Sequence, residues 1–213
     1  MKLLIVNSNT SAGITDLLRQ EALRMAAPGT DVTALTASFG PAAIETPAHV
    51  ETAARATCEA ITSVTGFDAA IVACFSDPGL MKARRAVPFP VVGLAEAAMF
   101  QACMLGSSFA VLTVAPSAVP GIHAVADGYG LGGRMTGVHA LERGVLESHA
   151  DPVGTLREMR ALALQVLEAE APDVLVLGGA ITAGMASALA PDLPVPLLDG
   201  LRCALRQAEM LTR

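Results

Sequence analysis

The chain has no tryptophan, one tyrosine and an aromatic content of 3%. Single-strand nucleic-acid binders stack bases on aromatic side chains, and this sequence does not supply such platforms. Positive charge is scarce too. Its 14 Lys and Arg against 20 Asp and Glu give a net charge of −6, and the basic residues form no run longer than Arg84-Arg85. Without a basic stripe to neutralise phosphates, nucleic acid is not an expected partner. Long hydrophobic runs are also missing. Although 53% of the residues are hydrophobic, Gly, Pro or a charge breaks every apolar stretch before the ~18 residues that a spanning helix needs. The opening run Leu3 to Val6 meets Asn7-Ser8-Asn9-Thr10 too soon to be a signal peptide, so a first strand and a cytoplasmic setting are expected, with no membrane partner.

Four cysteines (Cys58, Cys74, Cys103, Cys203) include no Cys-x-x-Cys pair, which argues against a zinc site or a disulfide framework. The four histidines lack the i, i+4 spacing of a helical metal pair, so no metal is expected. Neither a Walker-type Gly-Lys-Ser/Thr nor a G-x-S-x-G elbow occurs. Gly128-Tyr129-Gly130-Leu131-Gly132-Gly133 does fit G-x-G-x-x-G, but a helical segment precedes it and a strand follows. A dinucleotide fingerprint needs the reverse order, so these glycines read as a helix stop.

What the chain has in abundance is Ala, Val and Leu in short runs that alternate with helix-period segments, the pattern of parallel sheets covered on both faces. Strands are expected near Leu3 to Val6, Asp31 to Leu35, Ala69 to Ala73, Pro90 to Val92, Phe109 to Thr113, Met135 to His139, Val174 to Leu177 and Val195 to Leu198. Core stripes of helices are read in Ile14, Leu17, Leu18, Ala22 and Met25, in Leu156, Met159, Ala163, Val166 and Leu167, and in Leu201, Leu205, Ala208 and Leu211. The sequence also resembles itself. Phe67 to Cys74 aligns with Pro172 to Gly179, Phe89 to Gly93 with Val195 to Asp199, and Leu4 to Asn7 with Ala110 to Thr113. This predicts an α/β fold of two similar pseudo-symmetric lobes, Met1 to Leu105 and Gly106 to Arg213, each a mostly parallel sheet flanked by helices, with the last helix free to pack on the first lobe. Ligands bind at the carboxyl ends of such strands and at domain interfaces, so Asn7 to Thr10, Cys74, Thr113 and Gly179 are expected around one cleft.

Cys58, Cys103 and Cys203 lie in helical patterns, where cysteine is ordinarily a small buried hydrophobe. Cys74 instead ends a strand and opens the turn Phe75-Ser76-Asp77-Pro78-Gly79. Converging backbone N–H groups and the positive end of a following helix would favour its thiolate. His139 ends a strand and could reach the cleft, although most such histidines only satisfy a local hydrogen bond. Asn7 to Ser11 hold more capping-type residues than one helix start needs, which leaves Asn9 or Thr10 to donate to a ligand.

These segments resemble the aspartate/glutamate/hydantoin racemase superfamily, most of all its hydantoin and allantoin racemase branch. The likeness is carried by Asn7-Ser8-Asn9-Thr10, by Phe39-Gly40-Pro41 with Ile44-Glu45, by Ala73-Cys74-Phe75-Ser76-Asp77-Pro78-Gly79-Leu80, by Val92 to Met99 and by Pro196 to Gly200. It implies proton transfer at a carbon next to a carbonyl, without a cofactor, between a cysteine on each face of a small hydantoin-, allantoin- or amino-acid-like substrate. It also implies a homo-oligomer. The first cysteine maps onto Cys74. The second maps onto Gly179, in Leu177-Gly178-Gly179-Ala180, and glycine cannot move a proton. By this resemblance Asn9, Ser76, Thr113, Gly179 and Ala180 would bind the substrate's carbonyl oxygens, Phe39 would line the side-chain pocket, and water, Thr182 or His139 would serve the second face. A single-cysteine decarboxylase of the arylmalonate type and a catalytically silent small-molecule binding protein are the competing readings.

Overall fold

The computed structural model describes residues 1–212. In the first half β1 (Lys2–Asn7), α1 (Ala12–Met25), β2 (Asp31–Thr36), α2 (Pro47–Thr62), β3 (Ala69–Val72), α3 (Leu80–Ala86), β4 (Val91–Gly93) and α4 (Leu94–Leu105) follow one another. The second half comprises β5 (Phe109–Val114), α5 (Val119–Gly128), β6 (Met135–Leu141), α6 (Val145–Ala150), α7 (Pro152–Glu170), β7 (Val174–Leu177), α8 (Ala186–Leu189), β8 (Leu197–Asp199) and α9 (Gly200–Leu211). All eight expected strands are present, within a residue or two at their ends.

The strands form two four-stranded parallel sheets, ordered β2-β1-β3-β4 and β6-β5-β7-β8. The repeated order is the structural counterpart of the internal sequence likeness. Central strands β3, β5 and β7 are buried along their whole length, which is why they are continuous apolar runs rather than alternating ones. The edge strands β2 and β6 are only partly covered and carry the polar residues.

Helix stripes seat as periodicity dictates: Ile14, Leu18 and Ala22 of α1, Met159, Ala163 and Val166 of α7, and Leu201, Leu205 and Ala208 of α9 are buried. Leu211 departs from this reading. It is the last residue of α9 and is 51% exposed. The glycines at 128–133 end α5 and lead through a 3-10 turn into β6.

The two halves interlock through exchanged helices. α4, which closes the first half, packs on β5, β7 and β8, whereas α9 at the chain's end packs on β3, β4 and α1. Side chains cross as well. Tyr129 donates its hydroxyl to Asp77 Oδ2 at 2.7 Å. The Phe75 ring sits where side chains at Gly178 and Gly200 would stand, with ring atoms 3.1 and 3.4 Å from those missing Cβ positions. One apolar cluster therefore runs through both sheets, and the carboxyl ends of their strands face a common space.

Candidate active site

That space is a cavity of about 520 Å³, lined by loops from both halves. Asn9 follows β1, Cys74, Phe75 and Ser76 follow β3, Thr113 lies near the end of β5, and Gly179, Ala180 and Ile181 follow β7. Five strand-end positions picked out from the sequence are thus brought together with Ala180.

Each is held by local chemistry. Asn7, fully buried, donates its amide to Asn9 Oδ1 at 2.9 Å, and the backbone N–H of Ser11 donates to the same oxygen at 2.9 Å. With its oxygen so engaged, Asn9 has its NH₂ left for a ligand acceptor. The helix start itself is Ser11, whose side chain makes no capping bond, and Thr10 is tied through its N–H to Pro41 O at 3.1 Å.

Cys74 Sγ lies 3.3 Å from Ser76 Oγ. Burial pushes its thiol above the ordinary value; the Ser76 hydroxyl and the N–H groups of Ser76 and Phe75 pull the other way, while nearby Asp77 adds to the rise. This corrects the expectation of a lowered value. The helix expected to favour a thiolate begins only at Leu80 and is seven residues long, so its positive end is not at the sulfur, and desolvation dominates.

Asp77 adopts φ 44°, a conformation rare for residues with a side chain. Its buried carboxyl accepts from Ala95 N at 3.1 Å, Glu96 N at 2.7 Å and Tyr129, which ties the Cys74 turn to the start of α4 and to the second half. Burial nevertheless pushes this carboxyl up to about 7.

Across the cavity, Gly179 has φ 127° and ψ 144°, a region that only glycine occupies readily. A Cβ there would meet only Thr113 Oγ1, at 3.9 Å. The N–H groups at the start of the 3-10 turn Ala180–Thr182 have no carbonyl of that turn to bond, as at any helix start, and are available to an anion. Thr113, buried to 3%, donates its hydroxyl to Gly178 O at 2.7 Å, just past the last β5–β7 ladder pair. With its one proton committed, the Thr113 oxygen offers the cavity lone pairs, so it accepts rather than donates. Its expected role as a donor to carbonyl oxygens is reversed.

Three expected site residues do not line this cavity. Phe39 is 36% exposed on the loop after β2, which carries it outward. Thr182 donates to Gly179 O at 2.8 Å and serves its own turn. His139 lies within edge strand β6, with Nε2 2.8 Å from Glu170 Oε1 of α7. Missed by sequence reasoning were the apolar walls, including Pro120, Ile122, Val125 and Val145 from the second half and Ile44 and Val50 from the first, and the acidic Glu45 beside them. Only Ile44-Glu45 left a signal, within a segment resembling the family. Among the described residues no group of three or more His, Cys, Asp or Glu could hold a metal ion, and no helix is long and apolar enough to cross a membrane.

Comparison with known proteins agrees with this architecture. The family described as Asp/Glu/Hydantoin racemase matches residues 3–208. The chain is 31% identical over 213 residues to a hydantoin racemase of Pseudomonas sp. (strain NS671), covering 99% of this chain and 86% of that protein. The structure of allantoin racemase from Klebsiella pneumoniae superposes with a TM-score of 0.94 at 32% identity, over 99% of this chain and 87% of the other. Arylmalonate decarboxylase shares the fold at 14% identity and a TM-score of 0.72, over 100% of this chain and 92% of the other, a likeness of architecture alone.

Proposed function

The chain belongs to the Asp/Glu/hydantoin racemase family, and from that premise we propose that it interconverts the enantiomers of a small hydantoin- or allantoin-like ureide by proton transfer at the ring carbon next to a carbonyl. The observation that carries this reading is Cys74. It is a single thiol at the wall of a two-lobed cavity, in a chain about as similar to hydantoin racemases as to allantoin racemases.

Desolvation raises the Cys74 thiol, so its readier act is to give a proton to a carbanion on its face. In the opposite direction it must become a thiolate, and the Ser76 hydroxyl with the Phe75 and Ser76 N–H groups stabilises that charge. The N–H groups of Gly179 and Ala180 and the Asn9 amide support a developing enolate oxygen, a preorganised stabilisation that takes effect as charge builds. Thr113, an acceptor, suits a ring N–H of the ureide. The apolar walls suit a nonpolar ring substituent. The decarboxylase reading has only a shared fold in its favour, and the silent-binder reading leaves a half-buried thiol beside donors without a task. With this function we read the protein as a cytoplasmic homo-oligomer.

The test is incubation with enantiopure 5-substituted hydantoins and allantoin in deuterated water, following the ring C–H by NMR and the optical rotation together. Loss of the C–H signal alongside loss of rotation is expected. Unchanged signals with every such substrate would overturn the reading.

A further inference from the structure

A racemase needs a proton carrier on each face of the substrate carbon, and Gly179 offers none. Among the described residues that line the cavity, only Cys74 and Glu45 carry a titratable side chain. Glu45 belongs to the loop between β2 and α2, in the same half of the chain as Cys74, but its side chain does not stay there. Its Oε1 accepts from Val145 N at 3.0 Å and stands 3.6 Å from where a Cβ on Gly144 would be. Val145 opens α6, which packs on the 180–182 turn that follows Gly179. The carboxyl group of Glu45 is therefore fixed by one oxygen to the wall built by the second half. Among the described residues the hydrogen bond to that wall is made by Oε1 alone.

We propose that Glu45 is the catalytic acid/base on the Gly179 face, where this chain has no cysteine; this rests on the racemase reading above. The Glu45 carboxylate removes the proton from the ring carbon, and the C–H electron pair moves onto the adjacent carbonyl to give the enolate. The electron pair then returns to carbon from the opposite face as Cys74 Sγ–H delivers its proton. The inverted product leaves Glu45 protonated and Cys74 as thiolate, and a proton passes from one to the other through solvent to restore the start. The other enantiomer runs the same steps in reverse. A carboxyl group opposite a thiol is a pairing of unlike groups.

Glu45→Gln is the deciding variant, because the Gln oxygen still accepts from Val145 N while the proton carrier is gone. Racemisation should fall by about 10² to 10⁴, the worth of a positioned acid or base, with KM and melting temperature little changed. In deuterated water the enantiomer whose proton faces Cys74 should still exchange, with retention of configuration, and its mirror image should not. Cys74→Ala should give the opposite selectivity. Glu45→Ala, which also removes the Val145 contact, should lose racemisation as Gln does and melt lower. The inference is overturned if Glu45→Gln racemises normally, or if it loses exchange of both enantiomers together. Absence of exchange by the unaltered protein would overturn the racemase reading itself and this inference with it.

Discussion

The turns after β3 and β7 occupy equivalent places in the two halves, yet they solve the same problem from opposite sides. Each precedes a helix that follows the next strand and needs its first N–H groups satisfied. In the first half Asp77, on the turn, reaches across to Ala95 and Glu96 at the start of α4. The strand that leads into α4 ends in Gly93, where a Cβ would lie 2.4 Å from the Asp77 carboxyl carbon. In the second half the carboxylate has moved to the strand. Asp199 ends β8, caps Leu201 and Arg202 at 2.9 and 3.2 Å, and accepts from Gly184 N on the opposing turn at 2.5 Å. The turn itself carries Thr182 in the place of Asp77. Duplication conserved the capping requirement and left the residue that meets it free to change sides. In the same way two equivalent cavity walls face each other, with a thiol at one and none at the other.

The comparison breaks most sharply at its chemical pair. Cys74→Ala should cost at least about 10² in kcat, whereas Gly179→Ala should leave racemisation within several-fold and instead lose about 1 to 3 kcal/mol of stability for a side chain forced to positive φ. Steady-state polarimetry and chemical denaturation of the two variants separate these effects. If both lost activity equally, the two walls would be functionally alike.

The carboxylate exchange gives a smaller effect. Gly93→Ala forces a methyl group into the buried Asp77 carboxyl and should destabilise by about 1 to 3 kcal/mol, read as a lower denaturation midpoint. Placing an Asp at 93 while changing Asp77→Thr would mimic the second half and should recover part of that loss. No recovery would mean that the halves are not interchangeable in this respect.

The third effect is a slope with pH. Burial raises the Asp77 carboxyl to about 7, while an unfolded Asp titrates near ~3.9. Over that interval the native state holds a proton that the unfolded state has lost. Asp77 therefore contributes most below about pH 4, and its contribution falls as pH rises towards 7. Asp77→Asn should flatten the pH dependence of stability between those limits, with Tyr129, Glu96, Arg84 and Cys74 as the other titratable groups around it. An unchanged slope would assign the pH dependence elsewhere, and Asp199, also raised by burial, is the next group to test.

Sequence by itself determined the eight strands, because a run such as Val174 to Leu177 or Phe109 to Thr113 has one stable use, between two covering layers. It also determined the repeat, and through it the alignment of Cys74 with Gly179, since backbone order is written in local hydrophobic period. Helix stripes were legible for the same reason, except at Leu211, which ends its helix exposed. Only the tertiary structure decided which half each helix covers, because α4 and α9 are exchanged across an interface that no local pattern encodes. It decided as well the sign of the Cys74 shift, which depends on how much low-dielectric surrounding the fold places over the sulfur rather than on the turn's own sequence. Last, it decided the members of the cavity. His139 and Thr182 sit at promising sequence positions but are turned to Glu170 and to a local carbonyl. Glu45 reaches Val145, 100 residues away in the chain, and a meeting at that separation is settled by packing alone.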